Sequence, residues 1–268
     1  MGLDNSAFGM QPPGPVRRLA AACHPGPALA VTALATTLAA SVDARPVRVA
    51  LAFLAGQLSV GWSNDWVDAD RDRAVARADK PVVQGLPVAT VRAAALLAAT
   101  ACVPLSLALG WRAGVAHLVA VASAWAYNLG LKASLLSFAP YALSFGLVPN
   151  VVTLVEHRWA PWWATTAGAL LGVGAHAANV LPDLAQDAQT GVRGLPQRLG
   201  ARGASWLAGS CLVAASLVLS PLAVVPAVLL FAVGLVRGGR AVFLSTIAVA
   251  AVDVGLLLLR GADLLPGG

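Results

Sequence analysis

Charge is what this 268-residue sequence has least of: Asp, Glu, Lys and Arg make up 11% of it and apolar residues 58%. A soluble domain of this size carries about a quarter charged residues and under half apolar ones, so a water-soluble globule is excluded. Lysine occurs twice, at 80 and 132, against sixteen arginines. The three cysteines, Cys23, Cys102 and Cys211, are too few and too scattered for a disulfide framework or a metal knuckle, and read as small core residues. The net charge of +6 comes without a basic run or an interleaved aromatic stripe, which argues against a nucleic-acid partner. The few charges are also unevenly placed, nine of them falling between Asp65 and Lys80. Long intervals elsewhere carry none, the composition of a polytopic membrane protein.

Crossing about 30 Å of hydrocarbon takes roughly 20 helical residues. Nine intervals qualify: 26–42, 46–63, 93–110, 113–131, 133–155, 161–180, 203–220, 221–236 and 241–259, the long charge-free run being divided at Ser220-Pro221. The expected fold is an all-α integral membrane bundle of about nine transmembrane helices around a central cavity. It forms a single transmembrane domain at 26–260, preceded by a cytoplasmic segment 1–25 and followed by a short tail 261–268. Counted by alternate loops, thirteen of the eighteen basic residues fall on one side, including Arg17, Arg18, Arg71 to Lys80, Lys132 and Arg193 to Arg202. Positive residues are retained inside, so the N-terminus and both long polar loops are expected in the cytoplasm and the C-terminus outside, in a bacterial cell membrane. Arg17 and Arg18 precede an apolar segment with no small-residue cleavage pattern after it, so that segment is expected to be a retained helix.

Two loops carry the chemistry. In the first, Asn64, Asp65, Asp68 and Asp72 are spaced by three and four and form one stripe on a helix, with Asp70 on the opposite side. Three carboxylates on one stripe repel each other, more so near a membrane, and call for a cation. In the second, Asn179, Asp183 and Asp187 repeat the pattern, with Pro182 starting or kinking the helix. Carboxylate oxygen is the hard ligand of Mg²⁺, which is commonly held by a few carboxylates plus substrate phosphates. Asp65, Asp68, Asp72, Asp183 and Asp187 are therefore the candidate catalytic metal ligands. Two such stripes at the cytoplasmic mouths of helices can clamp two Mg²⁺ ions and a diphosphate.

The stretch Asn64 to Asp72 matches the N-D-x-x-D-x-x-x-D motif of the UbiA superfamily of intramembrane prenyltransferases, and Ala78-Asp79-Lys80-Pro81 with Gly85 resembles its D-[RK]-P segment. The run Asn179, Asp183, Asp187, Gly191, Leu195-Pro196, Arg198-Leu199-Gly200 resembles the second motif and its tail, and Tyr127 to Lys132 resembles the Tyr-to-Lys element ending the fourth helix. The chain departs from the pattern at Val180, where a second acid is common, and at Asn128, where serine or threonine is frequent.

The resemblance implies ionisation of a polyprenyl diphosphate and transfer of the prenyl group to a lipophilic, aromatic acceptor, with Mg²⁺ as cofactor and membrane lipid as surroundings. The same motifs serve terpene cyclases of the superfamily, which use no acceptor; a noncatalytic bundle or transporter with ion sites is the third reading. Ionisation needs cations around the departing diphosphate. Lys132, Arg73, Arg77, Arg193 and Arg198 lie on the right side for this, Lys132 foremost, with Asn64, Tyr127 and Asn179 as further diphosphate contacts. A dry apolar chamber must shield the allylic cation, and Trp62, Trp66, Tyr127 and Phe138 are its candidate π faces. His176, on the stripe of Asn179, is a candidate base or acceptor contact. His24, His117 and His157 have no partner by spacing. Asp253, an intramembrane acid, is expected to pair with Arg260 or face a cavity.

Overall fold

A computed structural model describes residues 14–265, so the expectations for 1–13 and 266–268 lie outside the described residues. All regular structure among the described residues is helical: α1 Pro15–Ala22, α2 Pro25–Ser41, α3 Pro46–Val67, α4 Ala69–Ala74, α5 Val88–Leu107, α6 Trp111–Asn128, α7 Ala139–Leu154, α8 Trp162–Val180, α9 Leu184–Gln189, α10 Leu195–Leu219, α11 Val224–Arg237 and α12 Arg240–Leu259. Proline at the first or second position starts α1, α2, α3, α7 and α10, where its fixed φ suits a helix and its missing N–H costs nothing.

Nine of these helices occupy the nine apolar intervals. The break at Ser220-Pro221 is present, Ser220 being extended between α10 and α11. Two boundaries differ from the expectation. The interval 133–155 begins as helix only at Ala139, because Gly130 (φ 141°) turns the chain after α6 into a short 3-10 turn, Leu131–Ala133. The interval 46–63 continues as helix to Val67 and so carries Asn64 and Asp65 within it.

By length and apolarity, Val88–Leu107, Leu135–Leu154, Leu195–Leu219 and Arg240–Leu259 qualify as membrane-crossing, with α1 and α2, bent by 57°, qualifying together as a fifth. Of the remaining four, α3, α6, α8 and α11, the last has 14 residues, and α3 contains Arg48 and half of the acidic motif. The outer surface bears the marks of a lipid-facing wall. Leu97, Val236 and Leu259 are 71%, 88% and 83% exposed, and Trp111, Trp159 and Trp162, all at the end opposite the acidic loops, are 68% to 74% exposed, like an interfacial aromatic belt.

Contacts run α2–α3, α3–α6, α6–α7, α7–α8, α8–α10, α10–α12 and from α12 back to α2, closing a ring, while α5 packs on α3 and α6, and α11 on α10 and α12. Small residues let these helices approach closely. A Cβ on Gly168 in α8 would lie 2.6 Å from the Phe145 carbonyl oxygen of α7, and one on Gly172 would overlap that of Tyr141. Glycine at both positions thus sets the depth at which Tyr141 and Phe145 stand in the bundle.

Candidate active site

Residues of α2, α3, α6, α7 and α8 enclose a cavity of about 630 Å³ that opens between the two acidic loops. All of Asn64, Asp65, Asp68 and Asp72 line it, and so do Asn179, Asp183 and Asp187. The stripe survives a change of helix in both loops. At Asp68 the backbone stays right-handed helical (φ −86°, ψ −3°) between α3 and α4, and in the second loop Pro182 makes a 3-10 turn, Leu181–Asp183, between α8 and α9. Asp70 is 98% exposed in its side chain and outside the cavity, as its place on the helix required.

The acids of the first loop differ in how they are held. Asp65, fully buried, accepts from Lys80 Nζ (2.7 Å) and His24 Nε2 (3.0 Å) on Oδ1, while its Oδ2 is buried without a partner. Asp68 is clamped between Lys132 Nζ on one oxygen and Arg71 Nη2 (2.7 Å) with Asn64 Nδ2 (3.3 Å) on the other. Asp72, 2% exposed, also keeps a buried Oδ2 without a partner, and burial holds its carboxyl above the ordinary range. In the second loop burial likewise raises Asp187, against a hydrogen bond from Gln197 Nε2 (2.8 Å). The two loops meet through Arg77: it chelates Asp79 with Nε (3.0 Å) and Nη2 (2.9 Å), and its Nη1 reaches Asp183 at 3.6 Å. That hydrogen bond to Arg77 holds Asp79 below the usual carboxylate range.

Asn128, the departure from the family pattern, ties the motif to its neighbours. Its Nδ2 donates to Val60 O (3.0 Å) and Ser63 Oγ (2.7 Å), and its Oδ1 accepts from Asn64 Nδ2 (3.2 Å). A serine could not make both donations to α3, since it has a single donor.

Six carboxylates line the cavity, at 65, 68, 72, 79, 183 and 187, against four permanent cations, Arg71, Arg77, Lys80 and Lys132. Counting these ten groups at their formal charges, the wall is net −2 and so attracts cations. Among the described residues no three His, Cys, Asp or Glu side chains converge into a complete ligand set. The donor chemistry fits Mg²⁺ nonetheless. Two buried carboxylate oxygens, on Asp65 and Asp72, lack partners, and Mg²⁺ characteristically takes one or two carboxylates and completes its shell with water and substrate phosphate. Below the acids the wall turns apolar, with Val31, Val60, Ala124, Tyr141 and Phe145.

Several expected members stand elsewhere. Arg73 pairs with Asp70 (3.2 Å) on the outer side of α4. Arg193 and Arg198 are exposed and off the cavity, Arg198 Nε donating to the Arg193 carbonyl at 2.8 Å, while their neighbours Val192 and Gln197 line it. Trp62 donates to Leu19 O (2.8 Å) and Trp66 packs edge-on against Trp125 (6.3 Å), so both serve packing on the far side of α3, and Phe138 also stands off the cavity. His176 is fully buried and off the cavity, with Nε2 3.1 Å from Ser137 Oγ and its ring stacked on Tyr141 at 4.8 Å, so it packs behind the wall against a tyrosine that lines it. Asp253 pairs with Ser216 (2.6 Å) in the α10–α12 interface, whereas Arg260 turns to Asp263 and lies over the Trp163 ring at 3.8 Å. His117 has a partner after all, Ser106 at 2.8 Å.

His24, Arg71, Lys80, Tyr141 and Phe145 line the cavity and are not among the site residues expected from the sequence. One signal existed for Lys80: burying a lysine is costly unless it is paired, and this one lies in a family-like segment.

The fold is similar to that of a UbiA homolog from Archaeoglobus fulgidus. Its structure with DMAPP and Mg²⁺ gives a TM-score of 0.71 at 14% identity over 92% of this chain and 100% of that one. Its structure with GPP and Mg²⁺ gives 0.68 at 15% identity over 92% and 99%. A structure concerned with digeranylgeranylglyceryl phosphate synthase gives 0.68 at 12% identity over 93% and 98%. No curated protein matches the chain. The model of the UbiA prenyltransferase family matches residues 26–258, and the chain belongs to that family.

Proposed function

We propose that this chain is a Mg²⁺-dependent intramembrane prenyltransferase that moves a prenyl group from a polyprenyl diphosphate to a lipophilic, aromatic acceptor, with two metal ions held by Asp65, Asp68, Asp72, Asp183 and Asp187. The observation that carries this reading is a single cavity lined by both acidic motifs and four cations at one end and by apolar side chains at the other. The A. fulgidus homolog, captured with prenyl diphosphates and Mg²⁺, supports it.

Bound metal supplies Lewis acidity toward the diphosphate oxygens. The chain's own residues do the rest. Lys132, Arg71, Arg77 and Lys80 neutralise charge growing on the leaving diphosphate, Lys132 from a position where burial lowers its pKa and Asp68 holds it in place. Asn64 and Asn179 orient the acidic stripes and offer hydrogen bonds to phosphate. Tyr127 and Tyr141, edge to face at 5.2 Å, stand at the passage from the polar to the apolar end, where ring faces stabilise an allylic cation and the apolar wall keeps water out. Consumption of geranylgeranyl diphosphate by purified protein is expected to stop in EDTA and return on addition of Mg²⁺ or Mn²⁺. Undiminished consumption in EDTA would remove the metal from the reading.

The nine long helices are read as nine crossings of one domain at 26–260, with the acidic loops in the cytoplasm and the C-terminus outside the cell. The bias of thirteen basic residues against five supports this orientation. In a background lacking the three native cysteines, cysteine at Ala188 and at Ala262 is expected to react with an impermeant maleimide from opposite sides of sealed vesicles. Reaction from one side would mean an even number of crossings between them, contrary to this reading.

A further inference from the structure

A second hollow, of about 840 Å³, lies on the outside of the ring, at the end of the bundle that carries the acidic loops. Its walls are the start of α10, the end of α11 and the start of α12, and the turn Leu181-Pro182 closes it toward the active cavity. Two arginines face into it from different helices. Arg202 follows the interruption of α10 at Gly200 (φ 68°, ψ 178°), and Arg240 opens α12 after two glycines of positive φ, Gly238 and Gly239. Both are exposed, no carboxylate lines the hollow, and neither arginine has an ion-pair partner among the described residues. The remaining lining is mostly apolar, including Trp206 and Phe243. Trp206 is half exposed at 49% and braced edge-on by Phe231 at 5.6 Å, so its ring is fixed while its outer side stays open.

Two unpaired guanidiniums above an apolar slot, open to the lipid-facing side, match one kind of molecule: a phosphate diester joined to acyl chains. Guanidinium binds phosphate oxygens in a bidentate fork, and basic pockets between transmembrane helices at the membrane surface take anionic headgroups. A zwitterionic lipid fits the slot equally well but returns part of the charge through its ammonium group. A free anion fits the arginines but leaves Trp206 and Phe243 in contact with water. We propose that this hollow is a binding site for one anionic phospholipid of the surrounding leaflet, its phosphate between Arg202 and Arg240 and an acyl chain along Trp206 and Phe243. The site is separate from the prenyl diphosphate cavity and independent of the reaction assigned to it.

The test uses the full-length protein in phosphatidylcholine vesicles doped with a small fixed fraction of brominated phosphatidylglycerol or brominated phosphatidylcholine, read by tryptophan quenching. Wild type should be quenched more strongly by the anionic lipid, and W206F should lose that excess. Each cation near an anionic surface contributes roughly fivefold in affinity, so R202Q/R240Q should lower the preference on the order of 30-fold, to near parity with phosphatidylcholine. R202K/R240K, which keeps both charges, should retain most of it and so excludes misfolding as the cause. Equal quenching by the two lipids in wild type, an excess that persists in R202Q/R240Q, or displacement of the anionic lipid by millimolar inorganic phosphate would each overturn the proposal.

Discussion

Replacing Asp68 or Asp183 by Asn is expected to lower turnover of geranylgeranyl diphosphate by about two to three orders of magnitude while the protein stays folded and inserted. The two substitutions should differ in a way the structure dictates. Asp68 holds Lys132 on one oxygen and Arg71 on the other, so Asp68→Asn removes a metal ligand and also loosens two cations that meet the diphosphate. Asp183 has Arg77 at 3.6 Å as its one ion-pair partner among the described residues, and that arginine keeps its chelation of Asp79 when Asp183 is changed. Asp183→Asn should therefore raise the Mg²⁺ concentration needed for half-maximal rate and be partly rescued by excess Mg²⁺. Asp68→Asn should not be rescued to the same extent. Near-normal turnover in both, at saturating diphosphate and ordinary Mg²⁺, would show that the acidic stripes do not hold the metal.

Lys132→Met should cost about 10²- to 10³-fold in kcat, the usual loss when one preorganised donor to a developing anion is removed. Methionine fills much of the space of the buried stem, and Asp68 keeps Arg71 as counter-charge, so folding is expected to be retained. A lysine that only anchored Asp68 would behave otherwise. In that case the variant would need more Mg²⁺ but would recover its full kcat once saturated. A kcat that stays low at saturating Mg²⁺ and saturating diphosphate marks direct contact with the leaving group, and recovery would assign Lys132 a positioning role.

Much of this was legible from spacing, because helical periodicity and charge depletion are local. The residues 64, 65, 68 and 72 share a face whether they lie on one helix or on two joined at a helical Asp68, and all four line the cavity. The same held for 179, 183 and 187 across the Pro182 turn. Lys132, Arg77 and Tyr127 also line that cavity as expected, but several contacts between segments were not legible. His24 reaches Asp65 across 41 positions, and Lys80 reaches it across 15, neither of which any spacing announces. Arg193 and Arg198 had the right charge and the right neighbourhood, but both are exposed and off the cavity, although Val192 and Gln197 beside them line it. His176 shares the stripe of Asn179 yet lies one layer behind the wall, since a ring of helices has a second shell that a one-dimensional pattern does not distinguish from the first. Tyr127 was expected at the cavity, but the other two aromatics that border it, Tyr141 and Phe145, belong to a helix with no charged motif to mark it, and their depth is set by two glycines on α8.

The most direct measurement is a product analysis with purified protein, Mg²⁺ and geranylgeranyl diphosphate, with and without a panel of lipophilic aromatic acceptors, extracted and resolved by gas chromatography with mass detection. Slow, metal-dependent release of linear prenyl alcohol without acceptor, replaced by fast formation of a prenylated acceptor when a suitable one is present, is the expected result. A cyclic terpene formed at enzymatic rates with no acceptor added would contradict it.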